Sequence, residues 1–554
     1  MRRIKAILPA LLACCLPAFS QSISQSVQVT NEYETKFADF QKLGVDSQVP
    51  DSLYEFDYSF DYSVFDSPYR GSYEFTPYEI RITPDPMVYD GSGFLLRAGA
   101  GYALRPVLDF YWTAVRRDDF TFGLTNRGNG YVGTYASRPL TADGAVLGGF
   151  NGYDLADSFS LDGHWILRGA DLRFAAGYDG MFTGADDASG LFVDGSLNSG
   201  HVAVELASAE KSRTYFSYRL GAGYRFSHDS GNWREAPAGQ TLPLRLNSAE
   251  HNFNVYGSLG PVLNGGKFAF LLDFDFETEF LDRPAGYSDF TLNHGVLTPH
   301  VAFRLGVFDF DAGVDIDYLH DGQIGSFNFA PAVDVSVDMF SGSTKAYAGL
   351  TGGRSLLSLY GLKSMNHFYT GLTAVSMSTR EKFGAFLGIE GRIGGHLQYD
   401  LHGGYSCRED VPFEALRDIS FADADFVYAS LDAKWISERL DIEAGLDWRH
   451  LLSHAAIPAF APAELSGDIS IRYNWLRRIY AGIRVEGASA RDALDYSLAA
   501  VPGYVDLGLN FEYRVSSRFG FWIDAGNLLG MNVEKHPGYV VPGQYITAGI
   551  VLKL

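Results

Sequence analysis

Aspartates at two-residue spacing are the first side chains in this sequence whose types and spacing could do chemistry. Asp273 and Asp275 form one pair, and four more aspartates fall within 309–317. Carboxylates held close together can bind a metal ion or act in acid–base catalysis. Here, however, apolar residues separate them with a strict period of two, which is typical of a β-strand with one polar and one apolar face. We therefore interpret the aspartates as side chains that face water.

The same pattern extends over several neighbouring segments between residues 273 and 338. We predict that this acidic face lines the interior of a barrel, where many carboxylates together favour cations without forming a discrete site. The predicted lumen-facing acidic residues are Asp273, Asp275, Glu277, Asp309, Asp311, Asp315, Asp317, Asp334 and Asp338.

Motifs that mark catalytic or cofactor sites do not occur. The Gly-Gly-Lys run at 265–267 continues into phenylalanine, so it does not complete a phosphate-binding loop, and neither HExxH nor GxSxG is present. His402, His450 and His454 are too scattered to indicate a ligand set. We predict no catalytic site, no cofactor and no metal site, and hence no enzyme. An outer-membrane enzyme, which would need a serine and a histidine side by side on outward faces, is the weakest alternative.

The strands that must position these side chains follow from the alternation itself. In 308–318 and 327–339 every second residue is apolar, and the pattern returns in 440–449 and 505–515. Runs of about ten residues match a tilted strand that crosses a bilayer, whereas the mean strand of a globular protein has about 5–6 residues. The pattern predicts membrane-spanning strands, with a soluble all-β protein as the alternative.

Counting these runs from residue 93 predicts an all-β fold, a transmembrane antiparallel β-barrel of about 22 strands, with about 14–20 as the alternative. Tight turns such as 306–307 and 394–395 alternate with long connections such as 357–382 and 409–422. Outer-membrane barrels have short periplasmic turns and long external loops. The connections therefore support a barrel domain over 93–554.

The beginning of the chain has the features of a secretory signal. Basic residues within the first five positions precede an apolar run over 6–19, and small residues follow. We predict a signal peptide over 1–20, with a lipoprotein signal acylated at Cys14 as the alternative. After cleavage only Cys407 remains, so we expect neither an internal disulfide nor a cysteine-based zinc site.

Charge and hydropathy limit which partners the chain can bind and how it can cross a membrane. With 66 acidic and 44 basic residues, the formal net charge is −22. Such a chain repels the phosphate backbone, so we predict no nucleic-acid partner. Beyond the signal, no stretch reaches the roughly 18 apolar residues that a transmembrane helix needs. Any membrane-spanning structure must then be a closed barrel, because only helices and closed barrels satisfy the backbone hydrogen bonds in lipid.

The segment 21–92 is acidic and rich in aromatic residues, and 54–62 alternates as a single strand would. Prolines on both sides break longer structure. We predict a periplasmic or lumenal segment without a core of its own, packed in part against the barrel. The alternatives are that it enters the lumen or adds a strand to an envelope protein by edge pairing.

The end of the chain carries two family resemblances. Thr547, Gly549, Leu552 and Leu554 resemble the C-terminal signal that the barrel-assembly machinery reads, although that pattern usually ends in Phe or Trp. The segment 519–554 resembles the closing hairpin of TonB-dependent receptors: an Asn-Leu-Leu motif at 527–529 is followed by a loop that ends in Pro-Gly at 542–543.

The receptor resemblance covers about 93–554, and 95–124 is similar to plugless receptor-like barrels of Bacteroidota. It implies a location in the outer membrane of a Gram-negative cell and a role in transport. Receptors of this family carry a plug domain and a TonB box ahead of the barrel. Residues 21–92 leave no room for that plug and contain no TonB-box-like stretch, so we expect no TonB-energised uptake.

These observations predict a receptor-like outer-membrane barrel that serves as a porin-like component for passive transport. The alternative is a structural or assembly partner in an envelope complex, with an occluded barrel. Expected partners are outer-membrane lipid, the barrel-assembly machinery during insertion and an envelope protein. A ring of about 22 strands without a plug leaves a wide opening, so we expect occlusion, with 228–248 and 357–382 as the candidate loops.

Overall fold

The structure is a computed structural model. The predicted signal peptide and the segment 21–92 lie outside the described residues. In the part of the chain that is described, no helix is long and apolar enough to cross a membrane. The described residues are 93–554 apart from 103, 138–148, 187–191, 210–214, 234–244, 284–287, 323, 370–376, 416–417, 496 and 542.

Antiparallel strands dominate the described residues, and one α-helix, α1 (Leu359–Met365), lies between the thirteenth and fourteenth strands. The strands in chain order are β1 Phe94–Tyr102, β2 Val107–Arg116, β3 Phe120–Ser137, β4 Gly149–Ile166, β5 Ala170–Asp186, β6 Phe192–Ser208, β7 Phe216–Trp233, β8 Arg245–Leu263, β9 Phe268–Asp282, β10 Phe290–Leu305, β11 Phe308–His320, β12 Gly325–Met339, β13 Thr344–Leu356, β14 Ser378–Ile393, β15 Leu397–Glu414, β16 Ile419–Ile436, β17 Leu440–His454, β18 Leu465–Trp475, β19 Ile479–Ala488, β20 Tyr504–Arg514, β21 Phe519–Gly526, β22 Val533–His536, β23 Tyr539–Val541 and β24 Tyr545–Lys553.

Hydrogen bonds between successive strands close the sheet into a ring. From β1 to β21 each strand pairs antiparallel with the next. β24 pairs with β21 on one side and with β1 on the other. β22 and β23 form an additional hairpin that does not take part in closing the ring, and β23 pairs with the end of β3. Of the 24 strands, 22 therefore build a closed barrel, which confirms the predicted fold class and strand number.

The two ends of the ring differ in their connections. At one end, here named the turn end, the connections are short, such as 306–307 and 394–396. Gly394 and Gly395 have φ of 62° and 72°, the left-handed conformation that suits a tight turn between twisted strands. The other end, here named the loop end, carries the long connections 357–377 and 527–544.

Strands β3 to β8 have 17–19 residues, more than the roughly 9–11 that cross a bilayer. Their extra length lies at the loop end. The prediction of a loop over 228–248 is therefore wrong in part, since β7 continues to Trp233 and β8 begins at Arg245. The middle of that segment, 234–244, lies outside the described residues.

The outer face of the ring is apolar and exposed. Phe276, Phe329 and Leu387 are 50%, 68% and 69% exposed, although side chains of this type are normally buried in a protein surrounded by water. At roughly 25 cal/mol for each Å² of apolar surface removed from water, contact with lipid stabilises such a face. Apolar and polar residues thus alternate along each strand because the two faces of the sheet have different surroundings.

The ring closes at a close approach between β1, β21 and β24. Gly549 lies opposite Gly99 on β1 and Trp522 on β21. A Cβ at Gly549 would lie 2.0 Å from the carbonyl oxygen of Ala98, so a larger residue does not fit. Thr547 points to the same inner face and is buried.

Leu552 pairs with Phe519, and the amide of Leu554 donates to the carbonyl of Phe94. The four residues predicted as an assembly signal therefore lie in the closing strand or at its end. Their recognition during insertion stays a prediction.

Candidate functional site

The connection between β13 and β14 is here named the α1 loop (357–377), and its described residues, 357–369 and 377, fold into the ring. The Ser358 hydroxyl accepts a hydrogen bond from the Gly361 amide at 3.0 Å and so caps α1. Leu359 and Leu362 are buried in a cluster with side chains from distant strands. Because this cluster joins α1 to strands as far apart as β5 and β16, it lies inside the loop end. Its members are Met181, Leu197, Leu281, Leu292, Leu356, Leu359, Leu362, Tyr369, Met377 and Ile419.

Polar contacts fix the α1 loop to the wall. Lys363 Nζ lies 3.2 Å from Asp229 Oδ1 on β7, and the two side chains are only 3% and 4% exposed. The Leu359 amide donates to the carboxylate of Glu250 on β8. Asn366 Nδ2 donates to a backbone carbonyl next to β15 at 3.0 Å. Removing one partner of a buried ion pair lowers the free energy of unfolding by about 3–5 kcal/mol. The Lys363–Asp229 pair therefore holds the α1 loop inside the ring.

The hairpin of β22 and β23 covers a neighbouring part of the loop end. The ring of Tyr539 stacks on Phe368 of the α1 loop, with 3.7 Å between centroids and 5° between planes. Tyr539 and Val540 also pair with the end of β3. At the base, Asn527 Nδ2 donates to two backbone carbonyls of the same connection, at 2.6 and 2.9 Å. Asn527 is the first residue of the Asn-Leu-Leu motif, and its role here is to shape the loop.

Two further connections, 455–464 and 489–503, pack on the long ends of β15 and β16. Ala459 and Leu494 are buried against Phe413 and Phe426, and the Leu494 amide donates to the carbonyl of Ala459 at 2.9 Å. The α1 loop, the β22–β23 hairpin and these two connections are here named the loop cover. The predicted loop 357–382 is wrong in part, since β14 begins at Ser378, and its described residues 357–369 and 377 lie at the loop end as expected.

The predicted acidic residues lie on the inner face, the face that also carries Leu281 and Leu292. His300 on β10 stands between two of them: its Nε2 is 3.3 Å from Asp273 Oδ1, and its Nδ1 is 2.6 Å from Asp311 Oδ1. Further contacts are those of Arg304 with Asp309 and with Asp338 (3.8 Å), Thr298 with Asp315 (2.5 Å), His294 with Asp317 (3.1 Å) and Asn252 with Glu277 (2.6 Å).

Asp275 and Asp334 lie on this same face, and Asp334 stands opposite Asp311 in the strand register. Arg304 thus neutralises part of the acidic charge that the sequence pattern placed here, and His294 and His300 form hydrogen bonds with other carboxylates of this face. The wall is a network of paired polar groups, and its attraction for cations is weaker than that of a ring of bare carboxylates.

A recess of about 630 Å³ opens on the inner wall over β2 to β8, toward the turn end. Side chains of both charges line it. Arg219 lies 2.8 Å from Glu205, and the Tyr256 hydroxyl donates to the same carboxylate at 3.2 Å. Asp162 and His164 complete one side. The volume lies within the roughly 300–1,000 Å³ of ordinary ligand sites, and the lining can hydrogen-bond a small polar solute.

Asp154, His367 and His536 meet where the loop cover contacts β4. Each offers one potential ligand atom, and these atoms lie within 4.8 Å of one another. His367 Nδ1 lies 2.8 and 3.0 Å from the two carboxylate oxygens of Asp154. Among the described residues, this is the group of histidine and carboxylate side chains close enough to share an ion.

Sequence reasoning missed this group because its members have no common spacing: His367 and Asp154 are 213 residues apart. The one available signal was that both histidines fall in long connections of the predicted barrel. Lys363 and Asp229 were missed for the same reason. The predictions that the chain has no catalytic, cofactor or metal residues stay predictions.

The chain is similar to known proteins in structure but not in sequence. No family profile matches it, and no curated protein is similar in sequence. The FrpB iron transporter from Neisseria meningitidis is similar in structure, with a TM-score of 0.60 and 11% identity over 84% of this chain and 82% of that one.

Two further solved structures are similar to the same extent. The ferric enterobactin receptor PfeA from Pseudomonas aeruginosa matches with a TM-score of 0.58 and 11% identity, over 83% of this chain and 80% of that one. The copper transporter OprC matches with a TM-score of 0.58 and 13% identity, over 84% and 81%. At these identities the likeness shows the barrel fold alone.

Proposed function

We propose that this chain is an outer-membrane receptor-like barrel through which a small polar solute passes passively once the loop cover opens. The loop end faces the outside of the cell, and no plug energised by TonB takes part. The observation that carries the proposal is a closed ring of 22 strands whose outer face is apolar and whose inner wall is a polar network with a recess of about 630 Å³.

Each feature has a physical reason in this function. The exposed phenylalanines and leucines of the outer face match lipid. Polar side chains of the inner wall, many of them paired with one another, can exchange hydrogen bonds with water or a solute. The similar structures are described as a ferric enterobactin receptor, an iron transporter and a copper transporter, which supports a transport role without naming the solute.

The loop cover makes a specific prediction about conductance. The protein in planar bilayers is expected to conduct weakly, because the α1 loop fills the loop end. Replacing 358–377 by a short Gly-Ser linker removes α1 and should raise the single-channel conductance several-fold. Heat-modifiable migration on gels would verify that both proteins are folded barrels. A shortened variant that is folded and conducts no better than the original would overturn the proposal.

The second candidate is a structural or assembly partner in an envelope complex, whose barrel stays occluded. The buried Lys363–Asp229 pair and the stacked Phe368–Tyr539 rings favour it, since a cover that opens often is not expected to rest on contacts so costly to break. Gentle extraction separates the candidates. An envelope protein that co-purifies in fixed ratio, together with a non-conducting barrel, favours the structural role.

A further inference from the structure

We infer that Asp154, His367 and His536 form a binding site for a divalent first-row transition metal such as zinc, and that the ion clasps the loop cover to the wall. The three ligands come from three separate segments: β4, the α1 loop and the β22–β23 hairpin. An ion bound there would join elements that are otherwise held by packing and hydrogen bonds. This inference goes beyond transport and departs from the sequence-based prediction of no metal site.

The donor set selects the class of ion. Two imidazoles and one carboxylate suit zinc, copper(II) or nickel(II), whereas magnesium and calcium require mainly oxygen ligands. In a tetrahedral site with bonds of roughly 2.0–2.2 Å, neighbouring ligand atoms stand about 3.4 Å apart. The His367–Asp154 separation of 2.8 Å and the 4.8 Å limit of the group bracket that value. Small side-chain shifts would seat the ion.

The surroundings of His536 supply a second, independent indication. Its Nδ1 lies 2.9 Å from Glu414 Oε1, and Arg491 lies 2.8 Å from the other oxygen of that carboxylate. A neutral imidazole that donates its Nδ1–H to Glu414 carries its lone pair on Nε2, the nitrogen left to bind metal. Metal-binding histidines commonly donate their other N–H to a carboxylate in this manner, which fixes the ring and raises its basicity.

The backbone around the site is held as well. The carbonyl of His367 accepts a hydrogen bond from the Thr183 hydroxyl at 3.2 Å. The residue after it, Phe368, stacks on Tyr539 of the hairpin that carries His536. The imidazole rings of His367 and His536 are 5.1 Å apart between centroids. Both histidines are therefore positioned before an ion arrives, which reduces the entropy lost on binding.

The site is accessible from solvent, and its carboxylates attract a cation. The side chains of His367, Asp154 and His536 remain 17%, 22% and 17% exposed. Asp154 supplies a negative charge directly, and Glu414 adds another one shell away, partly neutralised by Arg491. Three protein ligands leave one position for water, so the affinity is expected to be lower than that of a closed four-ligand structural site.

The test uses the full mature chain, refolded in detergent and stripped of metal with a chelator. Calorimetric titration with zinc should show one ion bound per chain, with no comparable binding of magnesium. His367→Ala and His536→Ala should each weaken zinc binding by more than about 100-fold, and Glu414→Gln by about 10–100-fold. His454→Ala is the matched control, because this exposed histidine forms its hydrogen bond with the backbone carbonyl of Ala455. The variant should bind zinc as the original chain does.

Hydrogen exchange measures whether zinc holds the loop cover to the wall, independently of any transport. Zinc should slow exchange in 358–369 and 533–541 of the original chain and leave the His367→Ala variant unchanged. Where an alanine variant does not migrate as a folded barrel, Asp154→Asn replaces it, since that change keeps the size of the side chain and removes its charge. Absence of one-to-one zinc binding by the original chain, or equal binding by the folded ligand variants, would overturn the inference.

Discussion

At the scale of single residues, the interior of this barrel is organised by pairing. His300 between Asp273 and Asp311, and Arg304 beside Asp309, place positive or hydrogen-bonding groups against carboxylates from neighbouring strands. A chain with a net charge of −22 can therefore bring many acids onto one face without large repulsion. A further pair joins Lys363 of the loop cover to Asp229 of β7, and both side chains are almost fully buried.

The substitution Lys363→Met tests this pairing. It keeps the length of the side chain but leaves Asp229 buried without its partner, which costs about 3–5 kcal/mol. The α1 loop should then leave the interior more often, and hydrogen exchange within 358–369 should accelerate by at least about 100-fold. Lys382→Met is the matched control, because Lys382 pairs with Glu409 at the surface, where ion pairs contribute about 0–1 kcal/mol. Equal exchange in the two variants would contradict the importance of the buried pair.

At the scale of elements, the seam between β1, β21 and β24 decides whether the ring closes. Trp522 packs over Gly99 and Gly549, and an added Cβ at either glycine would lie within 2.5 Å of a backbone oxygen. The seam joins residues that are more than 400 positions apart in sequence, so it forms last in any order that follows the chain.

Gly549→Val is therefore expected to impair closure. Two methyl groups cannot fit beside the Ala98 carbonyl and the Trp522 ring without moving β1 away from β24. The midpoint of urea unfolding should fall markedly, with a loss on the order of 1–3 kcal/mol or more for such overpacking. Gly169→Val serves as the control, because nothing lies within 4 Å of a Cβ at that turn position. A variant at Gly549 as stable as that control would show that the seam has room.

The same scale explains what the sequence could and could not predict. Strands were predictable where one face meets lipid and the other meets a polar interior, as in β11, whose Phe308 and Val314 alternate with Asp309 and Asp315. The prediction of a loop over 409–422 is wrong in part, since β15 runs to Glu414 and β16 begins at Ile419. Beyond the lipid the outer face also meets water, and the alternation that identifies a strand disappears.

The loop cover could not be predicted in detail, for a different physical reason. Its contacts depend on which connections lie across the ring from one another, and that information is absent from local periodicity. Phe368 and Tyr539 stack although one comes from the α1 loop and the other from the short strand β23. Asp154 and the two histidines meet in the same way. The sequence indicated only that long connections exist at this end and that 357–382 was one to occlude the opening.

At the scale of the whole molecule, one closed sheet separates an apolar outer face from a polar interior. In the proposed function the outer face meets lipid, the inner wall meets water or a solute, and the loop cover controls exchange between the interior and the outside. A soluble protein with this sequence would need to bury its exposed phenylalanines and leucines against other elements. In the described part of the chain no such elements cover them, and that is the basis for a membrane location.

Tryptophan fluorescence in vesicles with brominated lipid tests this claim most directly. Of the seven tryptophans in the sequence, Trp112, Trp165, Trp435, Trp448 and Trp475 lie exposed on the outer face, whereas Trp522 is buried at the seam. We expect bromine on the acyl chains to quench most of the emission of the refolded protein, and Trp522→Phe to leave the quenched fraction nearly unchanged. Emission that brominated lipid does not quench, from folded protein that stays in solution, would contradict the account.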